Sequence, residues 1–460
     1  MHSKFLPHCI LACTQFRGLL RRPILQATIF LLLMNTGASA VPSFAEQTGQ
    51  RCSMCHVGGL GPQLTPFGRL FKLGGYTLRS GTQFTMPLAG MIVASFLHTQ
   101  KDQPSPPAAH FGVNDNFALD QASVFLAGGV GDHFGGFSQF TYNGVNRSFA
   151  WDQLDVRATT HTSFMGSDVL IGVDVNNSPG VQDVWNTLPS WGFPYTSSEL
   201  APSPNAAPLI SGGLAQRVLG SGVFAWWNSH LYTEATIYWT PGRRLMSALG
   251  VDVNDGDAAL KGGAPYLRVA YQQDYGAQNF EIGGFGLFAH VYPGTVRDAG
   301  ADKITDLGID ASWQFAGNGD DFFQLNARYT HEQQTLSASF LLDNSANAHD
   351  TIQEMHLDGS YYWHKIVGVT VSPFTIWGSA DALLFADNRT ATPNSTGAIF
   401  QLDYTPWGTD ISPLGPRFNV RIGLQYTIYT RFDGASRNFD GLGHNASDND
   451  SLRLFTWFEF

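Results

Sequence analysis

Phe418-Asn419-Val420-Arg421-Ile422-Gly423-Leu424-Gln425-Tyr426-Thr427-Ile428-Tyr429-Thr430-Arg431 decides the fold class. Phe418, Val420, Ile422, Leu424, Tyr426 and Ile428 share one face, and Asn419, Arg421, Gln425, Thr427 and Arg431 share the other. A two-residue period is the period of a strand, because successive side chains leave the pleat on opposite sides. The same division sets Leu231, Ala235, Ile237 and Trp239 against His230, Tyr232, Glu234 and Tyr238. It also sets Leu307, Ile309, Ala311 and Trp313 against Asp306, Asp310, Ser312 and Gln314. Such alternation over about ten residues marks a transmembrane β-barrel strand, apolar toward lipid and polar toward the lumen. A soluble antiparallel sandwich alternates too.

Two further features favour the barrel. The chain closes on Leu452, Leu454, Thr456, Phe458 and Phe460, alternating up to a terminal aromatic residue. Short turns such as 131–135, 228–229, 275–278 and 317–320 also interleave with long connections near 100–115, 176–214, 241–263 and 432–450. Short turns on one side and long loops on the other are how such barrels are built, and an even strand number brings both chain ends to the same, periplasmic side. About sixteen strands fit between Met86 and Phe460, each about 9–11 residues through the membrane. The expected fold is therefore all-β: a transmembrane antiparallel barrel over 86–460, with a short, mostly helical segment over 41–85 plugging its lumen.

Residues 1–40 read as a secretory signal. Lys4, Arg17, Arg21 and Arg22 make a basic start, Ile24 to Met34 an apolar stretch, and Ala38-Ser39-Ala40 a small-residue cleavage site. The apolar stretch is too short for a comfortable span of roughly 20 residues. Removing the signal takes away Cys9 and Cys13, leaving Cys52 and Cys55 as the cysteines of the exported chain, with a net charge near −15. A chain so acidic is a poor partner for nucleic acid.

Cys52-Ser53-Met54-Cys55-His56 is a C-x-x-C-H sequence, the attachment motif of a c-type haem. The two thiols add to the vinyl groups of the haem, so they must be close in sequence and on one side of the chain. His56 is then carried to the iron as its proximal ligand. A zinc site normally wants four ligands, and a redox C-x-x-C sits in a thioredoxin-like βαβ context; neither surrounds this motif. Met54, between the thiols, is poorly placed for the distal side. Met86, Met91 and His98 are the distal candidates, and methionine would raise the potential relative to a second histidine. Around the motif, Pro42 to Gln50 reads as extended. Thr65 is a helix N-cap with Pro66 first inside and Gly74 at the end. Phe67, Leu70 and Phe71 share a face of that helix that would cover a haem edge.

Gln47-Thr48-Gly49, the C-x-x-C-H motif, Leu64-Thr65-Pro66-Phe67-Gly68-Arg69 and Phe71-Lys72-Leu73-Gly74-Gly75-Tyr76 together resemble the outer-membrane monohaem cytochrome–porin fusions of iron-oxidising bacteria. The likeness continues through Pro87-Leu88-Ala89-Gly90-Met91, Ser95-Phe96-Leu97-His98-Thr99 and the stretch Trp185 to Pro194. It covers the N-terminal quarter closely and the remainder by architecture. The glycine-rich run from Val57 to Gln63 departs from the family pattern. The resemblance implies one covalent haem c in a sixteen-stranded barrel of the outer membrane. It implies an electron taken from extracellular Fe(II) and passed to a periplasmic cytochrome or similar carrier, an iron-oxidising activity. The rival is a porin-like solute channel with a structural or sensory haem, or a conduit for another donor. Asp252, Asp255 and Asp257, Asp298, Asp302 and Asp306, and Asp433, Asp440, Asp448 and Asp450 beside His444 form acidic groups in the loops. They read as solvated outer-loop carboxylates rather than a metal site. No G-x-S-x-G, H-E-x-x-H or phosphate-loop sequence supports a hydrolytic or nucleotide enzyme.

Overall fold

The computed structural model describes residues 41–81, 85–251, 259–294, 296–317, 320–415 and 417–460. The signal sequence and the Asp252, Asp255 and Asp257 group lie outside these residues. Three short helices come first: α1 (Pro42–Thr48), α2 (Cys52–Cys55) and α3 (Pro66–Leu73). The first eight strands are β1 (Leu88–Thr99), β2 (Asn116–Val130), β3 (Phe134–Asn143), β4 (Ser148–Phe164), β5 (Ser167–Asn176), β6 (Leu219–Trp227), β7 (Leu231–Trp239) and β8 (Ala264–Tyr275). The second eight are β9 (Gln278–Val291), β10 (Asp302–Ala316), β11 (Phe322–Thr335), β12 (His349–Trp363), β13 (Val367–Gly378), β14 (Ser395–Tyr404), β15 (Asn419–Arg431) and β16 (Ser451–Glu459).

Each strand pairs antiparallel with its sequence neighbours, and β16 returns to β1, so the sheet closes as a sixteen-stranded barrel. Closure leaves no sheet edge, which is what a β-structure needs in lipid. The seam is completed by the last residue: Phe460 and Gly90 exchange backbone hydrogen bonds of 2.6 and 3.0 Å. The alternation holds residue by residue. Ile422, Leu424 and Tyr426 are exposed on β15 while Arg421 and Gln425 are buried. On β7 Leu231, Ala235, Ile237 and Trp239 are exposed, and Tyr232, Glu234 and Tyr238 are buried. Exposed aliphatic and aromatic residues therefore cover the barrel wall, as a lipid-facing belt does.

The even strand number brings the start of β1 and the end of β16 to one rim, here the near rim. Connections at this rim are short, except for 405–418; those at the far rim are mostly longer. The helices lie within the near half of the lumen. Pro42 to Gln50 corrects the expectation of an extended chain: Pro42 opens α1 from its first turn, and Gly49, at φ +65°, ends it in the left-handed region. Thr65 caps α3 as expected, its side chain accepting from the Gly68 N–H. Of the face expected to cover a haem edge, Phe71 lines the cavity shared with Cys52, Cys55 and His56. Arg69, Lys72 and Leu73 are buried, Phe71 is buried with them, Phe67 is half-buried, and Leu70 is exposed. The lumen that receives the other side of α3 is polar. Arg69 donates to Gln314 and Asn279 near the near rim.

The connection 177–218, between β5 and β6, folds inward from the far rim. Arg268 on β8 anchors it, 3.4 Å from Asp183 of the loop, 2.7 Å from Asp310 and 3.4 Å from Glu281. Trp185 lies against the Arg268 guanidinium at 5.3 Å and donates to Gln272. Ion pairs this deeply buried hold only if both partners are present, so these contacts fix the loop in register with the wall.

Candidate functional site

The C-x-x-C-H motif is one turn of helix locked to the segment that follows it. Thr65 N–H donates to Cys55 O at 2.9 Å and Val57 N–H to Gln63 O at 2.9 Å, while His56 and Leu64 form an antiparallel bridge. Gly68 lets α3 lie against α2: a Cβ there would stand 2.2 Å from Cys55 O. The glycine-rich run after the motif is the seat of this segment in the barrel wall. Asn419 donates to Gly59 O and Arg421 to Gly58 O, and a Cβ on Gly58 would overlap the Tyr362 ring.

Cys52, Cys55 and His56 line a cavity with about 1410 Å³ of empty space, part of it continuous with solvent. Its walls come from the helices, from Trp191 and Tyr195 of the inward loop, and from the first and last strands. Phe44, Phe71, Tyr76, Met91, Phe125 and Phe137 pack as one cluster on the motif side. Phe44 stacks on Tyr76 at 5.1 Å, and Phe71 meets both edge-on. Gln121, Gln139, Asp152 and Gln153 line a polar part of the same cavity.

Of the residues singled out by sequence, Cys52, Cys55, His56 and Met91 meet at this cavity. Met86 is exposed and away from it. His98 lies toward the far rim, hydrogen-bonded to Asp115 at 2.7 Å, also away from it. No disulfide involves Cys52 or Cys55 among the described residues. His56 Nδ1 is buried without a hydrogen-bond partner. Burial pushes the His56 imidazole down to about 4 and the Cys55 thiol up to about 12, the latter helped by Cys52. Both groups are therefore neutral at ordinary pH, which gives the imidazole a free lone pair and disfavours a bare thiolate. Two thiols on one turn, an adjacent neutral imidazole with an unused nitrogen, and an aromatic-walled cavity are the donor set and shape that a covalent haem c requires.

The site has members that no local signal announced. Lys72 donates to the carbonyls of Val181 (2.5 Å) and Asp183 (2.7 Å), stands 3.8 Å from Asp155 and lies 4.7 Å over the Trp191 ring. Burial pushes it down to about 7 against the pull of Asp155. Asn186 bonds to the backbone at Pro62 and Leu64, and Gln314 donates to Leu64 O. Each of these hydrogen bonds joins residues more than a hundred positions apart, a pairing that no motif spacing encodes.

The acidic groups have structural partners. Asp302 accepts from Ala338 and Ser339, Asp306 from Ile210, and Asp433 from Asn205. Asp448 completes a capping box with Asn445, Asp450 accepts from Tyr429, and Asp440 pairs with His444. Among the described residues no group of three or more His, Cys, Asp or Glu is arranged to hold a metal ion.

No protein-family model and no curated protein matches the chain. Among solved structures it is similar to in-vitro folded OmpT, an outer membrane protein of Vibrio cholerae, at 9% identity and TM-score 0.42, covering 82% of this chain and 97% of that one. It is also similar to the outer membrane channel DcaP of Acinetobacter baumannii (13% identity, TM-score 0.44, 81% and 96% covered). A third is Salmonella typhi OmpF in complex with daunomycin (10% identity, TM-score 0.45, 82% and 98% covered).

Proposed function

We propose that this protein is an outer-membrane c-type cytochrome in porin form, carrying electrons from extracellular Fe(II) to a periplasmic redox carrier. The observation that carries the reading is the meeting of Cys52, Cys55 and His56 at one aromatic-walled cavity inside a transmembrane barrel. Haem c bound there supplies reversible one-electron chemistry. Cys52 and Cys55 would hold it by thioether bonds, and His56 would ligate the iron; Met91 is the distal candidate that shares the cavity. The lumen supports the reading over an open channel. The helices occupy its near half and the loop 177–218 folds in from the far side, and the two are bonded through Lys72 and Asn186. A hydrocarbon core of about 30 Å excludes hydrated ions. A filled lumen keeps iron and insoluble ferric products outside, while a redox centre within shortens the distance an electron must travel. In this orientation the near rim and both chain ends face the periplasm, and the exposed apolar wall faces outer-membrane lipid. Fe(II) as donor and a periplasmic cytochrome as acceptor follow from the family resemblance.

The test is optical. Purified protein is oxidised, mixed anaerobically with Fe(II), and the reduced haem c bands are followed. Prompt and complete reduction is expected. A Cys52→Ala, Cys55→Ala variant that inserts normally should carry no covalent haem and oxidise no Fe(II). Reduction by dithionite but not by Fe(II) would move the assignment to another donor. Absence of covalent haem from the wild-type protein would leave the solute-channel reading.

A further inference from the structure

We infer that Asn186, on the inward loop, is the positioning residue for His56. The inference rests on the haem reading above and adds to it the element that fixes the axial histidine. His56 Nδ1 has no partner, and the imidazole is held by a backbone hydrogen bond at Gly61 and by the backbone bridge from His56 to Leu64, so its place is set by the segment 61–64. The segment from Pro62 to Leu64 is itself pinned by Asn186, whose Oδ1 accepts the Leu64 N–H at 2.8 Å and whose Nδ2 donates to Pro62 O at 2.9 Å. The same Nδ2 reaches Trp191 O at 3.3 Å, tying the clamp to the cavity wall. Gln314 holds the other side of the strand through Leu64 O, at 2.8 Å.

Two features show that this amide is built for the task. Asn186 is buried, and its backbone stands at φ +64°. Asparagine is among the few non-glycine residues that tolerate this left-handed region, and a side-chain amide offers both an acceptor and a donor to an exposed piece of backbone. A leucine of similar size would offer neither and would leave the Leu64 N–H and Pro62 O buried without partners, at a cost of about 1–3 kcal/mol each. The inward loop, on this account, does more than narrow the lumen. It fixes the orientation of the His56 imidazole, the group that would ligate haem iron, and the orientation of such a ligand would tune the centre.

The experiment uses the full-length protein with its haem, in detergent micelles, and two variants. Asn186→Gly keeps the left-handed backbone and removes the amide. Asn186→Asp keeps the acceptor for Leu64 and removes the donor to Pro62. Three quantities are read: hydrogen-exchange protection of the Leu64 amide, the electron paramagnetic resonance of the ferric haem, and its midpoint potential. Expected for Asn186→Gly is covalent haem at wild-type yield, Leu64 protection reduced about tenfold or more, a broadened resonance and a shifted potential. Asn186→Asp should retain Leu64 protection and shift the resonance less. Wild-type resonance and potential in Asn186→Gly would overturn the inference and leave the haem reading intact. Wild-type protein without covalent haem would overturn both. If Asn186→Gly fails to assemble, Asn186→Asp decides through the lost donor to Pro62: a resonance and potential identical to wild type would contradict the clamp.

Discussion

Gly68 shows how much one hydrogen atom matters to this site. The Cβ of an alanine would stand 2.2 Å from Cys55 O, a backbone atom that cannot rotate away. Gly68→Ala must therefore push α3 off the C-x-x-C-H motif, and overpacking of this kind costs about 1–3 kcal/mol. The variant is expected to assemble a normal heat-resistant barrel with reduced covalent haem, read by haem staining against total protein; undiminished staining would contradict the contact. Met91 makes a second residue-scale prediction. Met91→Leu conserves volume, so folding should change by less than about 1.5 kcal/mol. If its thioether is the distal ligand, the variant loses the absorption band of a thioether–iron bond and its potential falls. Met86→Leu and His98→Gln, away from the cavity, should leave both unchanged. At this scale the sequence was explicit about local patterns and silent about partners. The C-x-x-C-H motif, the Thr65 cap and the Gly74 stop are local patterns. Asn186, Lys72 and Gln314 act across more than a hundred residues, and no spacing encodes that.

The inward loop and α3 hold each other, and Lys72 carries much of the contact. Removing its ammonium in Lys72→Met leaves the carbonyls of Val181 and Asp183 without that donor, a loss of about 1–3 kcal/mol in loop docking. The docked lysine faces Asp155, Asp183 and Glu234, which favour its charge, and Arg157, which opposes it; burial outweighs them and holds it down at about 7. Undocked, it would bind a proton up to its ordinary value near 10.4. Stability rises with pH wherever the undocked state holds more protons. Docking is therefore strongest above about 10, weakens as pH falls toward 7, and is level below. Protease cleavage within 177–218 should slow as pH rises across that window. In Lys72→Met it should be faster and lack the slope, and a wild-type slope in that variant would rule the mechanism out. Elements were the best-read scale for the strands, because period-two alternation is enforced by two different solvents on the two faces. They were worse read for the helices. The 42–50 segment carries a proline start and a glycine stop, yet its residues show no apolar stripe. The polar side of α3 was not read at all: Arg69 and Lys72 enter a lumen that supplies Gln314, Asn279 and Asp155.

The closed sheet and its contents divide the labour of the whole molecule. The sixteen strands pair completely without the helices, from Gly90 to Phe460, so the wall does not depend on the segment inside it. What the helices and loop contribute is obstruction, and that separates an electron conduit from a solute channel. In planar bilayers the wild-type protein should show little steady conductance. A variant lacking 42–81 removes the helices and the Lys72 and Asn186 anchors of the loop, and it should show stable openings of the size a wide aqueous barrel gives. Lys72→Met, with the helices present but one anchor gone, should open briefly and often. Large, steady conductance by the wild-type protein would mean that solutes pass beside the helices, and the channel reading would then take precedence. Low conductance in all three proteins would show instead that the loop blocks the lumen by itself, through Arg268 and its carboxylate partners. Arg268→Met combined with the deletion would then be the variant that opens the barrel.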